Sequence, residues 1–210
     1  MPKVAARIER PARDRDATKA RILLAVGVVL ARDGFAALGV NAVAKEAGVD
    51  KVLIYRYFGG MQELLREWGA SGSFWPSVEE LLGSRPEDFR ALAPAERYAR
   101  FLEHFVDALR ARPLTIEILA AEIAERSDLS VVLEDERERW GEDAARLLSG
   151  EDFAERPELR ALSVLLIAGA QYLLVRSRSN RVFGGIDLRK DSGWDELKAA
   201  MRKAAYAIFR

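Results

Sequence analysis

Apolar residues recur along most of this chain at intervals of three and four, the spacing that lines one face of an α-helix. The first such run, Ile22, Leu23, Val26, Val29 and Leu30, predicts a helix that starts near Asp16 or Thr18 and stops at Asp33-Gly34. Either starting residue can cap a helix, and glycine accepts the left-handed backbone that favours a stop. Val40, Val43, Ala44 and Ala47 then share one face of a short helix over about 40–47, which Gly48 breaks. Asp50 is placed to cap a third helix over about 51–58 whose anchors are Ile54 and Phe58. Gly59-Gly60 ends it, and a fourth helix begins near Met61 with Leu64, Leu65 and Trp68 on its inner face.

Between Gly69 and Pro94, Ser, Gly and Pro interrupt short apolar patches, and the pattern supports only one helix, over about 76–82. The period then returns. Tyr98, Phe101, Leu102, Phe105 and Leu109 form one face, Pro113 opens another helix, and Leu129, Val132, Leu133, Trp140, Ala144 and Leu147 form a third face. Residues 158–178 are apolar nearly all round, the signature of burial on both sides. Leu197, Met201, Ala204 and Ile208 define a last helix. No run alternates convincingly with the period of a strand, so the fold class is all-α. The expected organisation is a flexible, Arg-rich arm over 1–15, a helix-turn-helix domain over 16–60 and a helical body over 61–210.

Two short helices joined at Ala47-Gly48-Val49 have the layout that presents a second helix to the DNA major groove. With Ile54 and Phe58 facing inward, Lys51, Val52 and Tyr55 lie on one flank of that helix. Leu53 and Tyr57 lie on the other, and Arg56 points farthest from the anchors. Lys51 at the helix start can donate to a guanine edge or a phosphate, and Val52 and Leu53 can pack on thymine methyls. The Tyr55 and Tyr57 hydroxyls can donate to phosphates, which fixes register without reading sequence.

The stretch AGVDKVLIYRYFGGMQELL, preceded by a helix ending in Asp33-Gly34-Phe35, resembles the DNA-binding domain of tetracycline-repressor-like (TetR-family) regulators over about residues 18–65. The resemblance implies a three-helix DNA-binding head and a larger helical domain that dimerises and usually binds a small molecule. Three positions depart from the family's pattern. Gly39 stands where a hydroxyl residue is usual, Leu53 where a small or hydroxyl residue is frequent, and Met61 where a lysine commonly grips a phosphate. The basic residues Arg7, Arg10, Arg13 and Arg15, with Lys19, are expected to substitute, as arms reaching adjacent grooves do. Asn41 is a further base or phosphate contact.

By the same resemblance, residues 158–178 and 195–210 of two subunits form a four-helix interface. Ala168, Gly169 and Ala170 allow close approach there, and the dimer would read an inverted repeat in double-stranded DNA. The candidate effector site gathers Tyr98, Phe101, Phe105, Trp140 and Tyr172, with His104 as a polar handle, around a small apolar or aromatic ligand. An aromatic stripe at helical spacing also serves as plain core.

Composition narrows the classes further. The net charge is zero, yet residues 1–60 hold eleven Lys/Arg against six Asp/Glu and the remainder 22 against 27. A basic head on an acidic body fits a polyanion at one end. There is no cysteine, which removes disulfides, thiolate metal sites and cysteine nucleophiles; the single histidine leaves almost no material for a His-rich zinc site or a Ser-His dyad, and no phosphate-binding glycine motif points to an enzyme. No cofactor or metal is expected. Ile22–Ala31 imitates a signal-peptide core, but Asp14 and Asp16 precede it and it belongs to the three-helix head, so a cytoplasmic location is expected. Leu162–Val175, the longest apolar stretch, falls short of a membrane span by this count. An architectural or adaptor protein whose body binds a protein partner is the alternative to a ligand-responsive repressor.

Overall fold

The computed structural model describes residues 10–71, 74–83, 85–124, 128–149 and 156–209. Among them the chain is helical apart from one short hairpin. The head comprises α1 (Arg10–Asp33), α2 (Val40–Ala47), α3 (Lys51–Phe58) and, beyond the boundary expected at residue 60, α4 (Met61–Ala70), which packs on α1 and α3 as well as on the body. The body comprises α5 (Val78–Leu82), α6 (Pro86–Ala91), α7 (Pro94–Arg110), α8 (Pro113–Ala124), α9 (Asp128–Ser149), α10 (Pro157–Ser177) and α11 (Asp191–Ile208), with β1 (Val182–Phe183) and β2 (Ile186–Asp187) between the last two.

The bounds of α2 and α3 coincide with the sequence reading. Gly48 caps α2 in the left-handed region at φ 63° and ψ 41°, and the Asp50 carboxylate accepts from the Val52 amide at 2.8 Å to start α3. The beginning of α1 does not coincide. The chain is already helical at Arg10, so residues 10–15 are not a flexible arm. Pro11 is tolerated because the first helical turn needs no amide donor. Thr18 is no cap either, since its hydroxyl donates back to the Asp14 carbonyl at 2.7 Å inside the helix.

Two further elements depart from the sequence reading. Pro86 opens α6, with Glu87 and Asp88 in its first turn, where negative charge meets the positive helix end. Gly184 and Gly185, at φ 58° and 88°, turn an antiparallel hairpin in which Val182 faces Asp187 and Phe183 faces Ile186. Two consecutive left-handed residues form the tight hairpin turn that glycine favours. This hairpin packs under the start of α11: a Cβ at Gly193 would lie 2.2 Å from the Asp187 carbonyl oxygen. Gly193→Ala is therefore expected to lower unfolding stability by about 1–3 kcal/mol in denaturant titration, because backbone must move to admit the methyl.

The body is built on α7, whose Tyr98, Phe101, Leu102, Phe105, Val106 and Leu109 are buried. Leu133, Ala144 and Leu148 of α9 join the same core, whereas the Leu147 side chain lies outside the described residues. On the opposite side, α11 is pinned to α7 by ion pairs: Lys198 to Asp107 at 2.9 Å, and Arg202 to Glu96 and Glu103, both at 2.7 Å. Glu96 also accepts from the Tyr206 hydroxyl and from Arg100, each at 2.5 Å. These donors, Tyr206 foremost, hold its carboxyl at about 2 against an ordinary 4.5. A depressed folded-state value means that the stabilisation is present above pH 4.5 and is lost as the pH falls toward 2. Tyr206→Phe is expected to move acid unfolding to higher pH, because the Glu96 carboxylate loses its foremost donor. Circular dichroism against pH checks this.

The single chain does not bury α10 on both sides. Only Leu159, Ser163, Ala170 and Leu174 are enclosed, while Val164 and Leu165 are 62% and 69% exposed. Taken over its full length, this helix is also long and apolar enough to cross a membrane, unlike the shorter stretch Leu162–Val175. Its inner face, however, packs on α7 and α8 within the body.

Candidate nucleic-acid interface and ligand cavity

The surface offered by the head follows from what α3 must bury. Ile54 and Phe58 are enclosed, so on the side turned away from them Val52 and Tyr55 stand 61% and 54% exposed. Lys51 and Arg56 are exposed beside them, and Leu53 and Tyr57 are half-buried. Asn41, in the first turn of α2, is exposed. Behind the helix, Gly59 at φ 88° lets its amide close on the Tyr55 carbonyl at 2.9 Å. Gly39 precedes α2 without a side-chain cap, and Met61 is half-buried against the core. Both departures from the family's pattern thus leave no polar group at those points.

The basic residues of α1 divide. The Arg15 guanidinium lies over the Tyr57 ring at 5.4 Å from its centroid, which brings it beside α3. Lys19 instead pairs with Glu67 of α4 at 2.9 Å and sits over the Phe58 ring at 5.0 Å. That pairing draws its ammonium toward α4. The Arg10 and Arg13 side chains and residues 1–9, Arg7 included, lie outside what the structure describes. One tie that no sequence pattern marks is made by Arg32, which binds Asp33 and reaches Glu46 at 2.8 Å. It joins the end of α1 to α2, and its hydrogen bonds hold the Asp33 carboxyl below the usual range.

Head and body meet along two close approaches. A Cβ at Gly27 of α1 would come within 2.8 Å of Leu114 of α8 and 3.3 Å of Trp68 of α4. One at Gly69 of α4 would come within 2.9 Å of Leu133 of α9. The small residues let the helices of the two parts touch without intervening side chains.

Within the body, α7, α8, α9 and α10 line a largely apolar, half-open cavity of about 730 Å³ whose mouth is flanked by the exposed Ile123, Val164 and Tyr172. Tyr98, Phe101, Trp140 and Tyr172 line it as expected. His104 and Phe105 do not. His104 lies at 2.7 Å, through Nδ1, from the Leu81 carbonyl on α5, and Phe105 is fully buried against Trp75 and Trp140. Both are spent on packing within the body rather than on the cavity. Tyr98 donates to Ser163 Oγ at 2.5 Å, which in turn donates to the Leu159 carbonyl at 2.8 Å, and burial pushes the phenol above its usual range. The wall also holds Trp75, Arg137, Ser163, Val164, Ile167 and Gln171, none of which the sequence pattern singles out. A size of several hundred Å³, an apolar lining and a few polar groups are what a small-molecule site requires.

The family model of the bacterial regulatory proteins, tetR family, matches residues 22–68, the span from α1 to α4. A Streptomyces coelicolor protein, the HTH-type transcriptional repressor SCO4008, is 28% identical over 201 residues, covering 94% of this chain and 97% of its own. Among solved structures, NalD of Pseudomonas aeruginosa, the secondary repressor of the MexAB-OprM multidrug efflux pump, aligns at TM-score 0.65 and 20% identity, covering 90% of this chain and 96% of its own. The transcriptional regulator FadR of Bacillus subtilis, solved with stearoyl-CoA, aligns at TM-score 0.61 and 17% identity, covering 89% and 96%. The two structures share the fold of this chain from head to body.

Proposed function

We propose that the chain is a tetR-family regulator, as the match of its residues 22–68 to that family's model supports, and that it acts as a dimeric cytoplasmic repressor released from an inverted-repeat operator by a small apolar or aromatic ligand. The observation that carries the DNA-binding part is the outward set Lys51, Val52, Tyr55 and Arg56 on a helix whose other face is anchored by Ile54 and Phe58. Asn41, Leu53, Tyr57, Arg13 and Arg15 complete the proposed contacts.

The exposed face of α10 supports a dimer through residues 158–178 and 195–210. Ala161, Leu165, Ala168, Gly169 and Tyr172 fall on one arc of the helix, and Leu165, Gly169 and Tyr172 are exposed, as are Ala199, Ala200 and Ala207 on α11. Small and apolar residues on two long helices suit an isologous four-helix contact. Two heads so joined would place their recognition helices about one turn of DNA, ~34–36 Å, apart. The cavity supplies a place for the effector. A ligand that binds best when the heads are wrongly spaced shifts the population off DNA. The named activity of the Streptomyces relative favours repression.

Sedimentation equilibrium of the full chain, with and without duplex DNA, tests this reading. The expected result is a species at twice the 23.4 kDa chain mass that binds duplex with an affinity falling steeply as salt rises. A monomer, or a dimer indifferent to duplex at low salt, would overturn it.

A further inference from the structure

The cavity wall contains two buried donors that, among the described residues, have no acceptor. They are Trp75 Nε1 and Arg137 Nη1; two further such donors, Arg97 Nε and Arg176 Nε, belong to residues that do not line the cavity. Trp75 is only 5% exposed, and the Arg137 guanidinium stands over its ring at 5.9 Å from the centroid. Neither atom can accept a hydrogen bond, so nothing but an acceptor can satisfy them. A native core rarely leaves even one such donor unpaired, and each one left so is costly. Two of these four belong to residues that wall one cavity and stack on each other, which marks that corner as the place where an acceptor is missing.

Their surroundings say what kind of acceptor fits. Arg137 already spends its other terminal nitrogen on Glu122 at 2.8 Å, so its charge is balanced within the protein. Arg146, farther along the wall, is likewise held by Asp143 at 2.6 Å and Glu142 at 3.3 Å. Glu138 and Glu142 stand on the same lining. A full negative charge brought beside Arg137 would meet a cation already answered and carboxylates close by. A neutral oxygen meets two donors and no repulsion. The other indole of the wall, Trp140, is no competitor, because its Nε1 donates to the Pro76 carbonyl at 2.8 Å. The rest of the lining, with Phe101, Ala144, Leu148 and Ile167, takes an apolar or ring-bearing skeleton.

We propose that Trp75 Nε1 and Arg137 Nη1 form the polar subsite of the cavity and select an apolar ligand carrying a neutral carbonyl-type acceptor over hydrocarbons and carboxylates of the same shape. The subsite lies where the main cavity adjoins a crevice of about 280 Å³ that also touches Gly69 and Ala70 at the end of α4. An acceptor seated there is close to the helix that carries the head.

This proposal rests on the reading of the cavity as the effector site, and the test separates the two. Equilibrium dialysis of the full chain with 2-acetylnaphthalene, 2-ethylnaphthalene and 2-naphthoate compares three probes of one skeleton. The wild type is expected to bind the ketone about tenfold or more tightly than either of the others. Trp75→Phe, which keeps an aromatic ring, and Arg137→Met are each expected to lose that preference while binding the hydrocarbon as before. If ketone and hydrocarbon bind equally to the wild type, the subsite is refuted and the cavity stands. If naphthoate binds best, the site is one for anions and the proposal falls. If no probe binds, the effector reading falls together with the subsite. Should Arg137→Met lose every probe by leaving Glu122 unpaired, Trp75→Phe decides, and its loss of every probe would also contradict the proposal.

Discussion

Lys51→Ala and Tyr55→Ala are each expected to weaken binding to the preferred duplex about ten- to a hundredfold, with the chain still dimeric. That is the magnitude of removing one specific groove or phosphate interaction from a recognition helix. Lys51 occupies the first position of α3, and Tyr55 is one turn further along the same exposed flank. Neither contributes to the core, so the substitutions leave the packing of Ile54 and Phe58 alone. Replacing Arg56, on the outermost line of the helix, should instead weaken all duplexes alike if it grips phosphate. Competition between specific and mixed-sequence duplexes separates the two effects. Unchanged affinity in both alanine variants would mean that another face of the head meets DNA.

A larger effect is expected from Leu165→Glu. Leu165 is 69% exposed on a helix of otherwise apolar character, and Ala161, Ala168, Gly169 and Tyr172 flank it on the same arc. In an isologous interface each subunit contributes the new carboxylate, so two charges enter apolar surroundings at once. The cost should convert the dimer to monomers at micromolar concentration and reduce operator affinity at least a hundredfold, to that of a single half-site. The helical content should not change, because Leu165 makes no part of the single chain's enclosed core. Sedimentation velocity and DNA binding read the two consequences separately. A Leu165→Glu chain that remains dimeric would place the interface elsewhere.

The parts of this fold that are legible in the sequence are those set by local chemistry. Gly48, Asp50 and Gly59 fix the ends of α2 and α3 through a left-handed turn, a carboxylate cap and a second turn, all determined within a few residues. Pro113 and the face from Tyr98 to Leu109 are equally readable. Elsewhere a local rule misleads or goes unnoticed. Pro11 reads as a breaker although it falls in a first helical turn. Pro86-Glu87-Asp88 and Gly184-Gly185 carry the signals of a helix start and a hairpin turn amid segments of irregular pattern.

The cavity is legible only in part, for a different reason. Its aromatic residues lie on helical periods, but Trp75, Arg137, Ser163 and Gln171 are brought together by contacts between distant segments, which no local pattern encodes. His104 shows the limit in the other direction. It neighbours the buried face of α7 in sequence, yet its ring turns to the Leu81 carbonyl. Lys19 is similar: the sequence marks a cation near the head, and only the fold reveals its partner Glu67.

The central claim, that two α3 helices of one dimer read a symmetric DNA site, is tested most directly by selecting bound sequences from a random pool of double-stranded DNA. The expected result is enrichment of an inverted repeat whose half-sites are about one helical turn apart. Enrichment of a single unrepeated motif, or of nothing from a folded dimer at low salt, would contradict it.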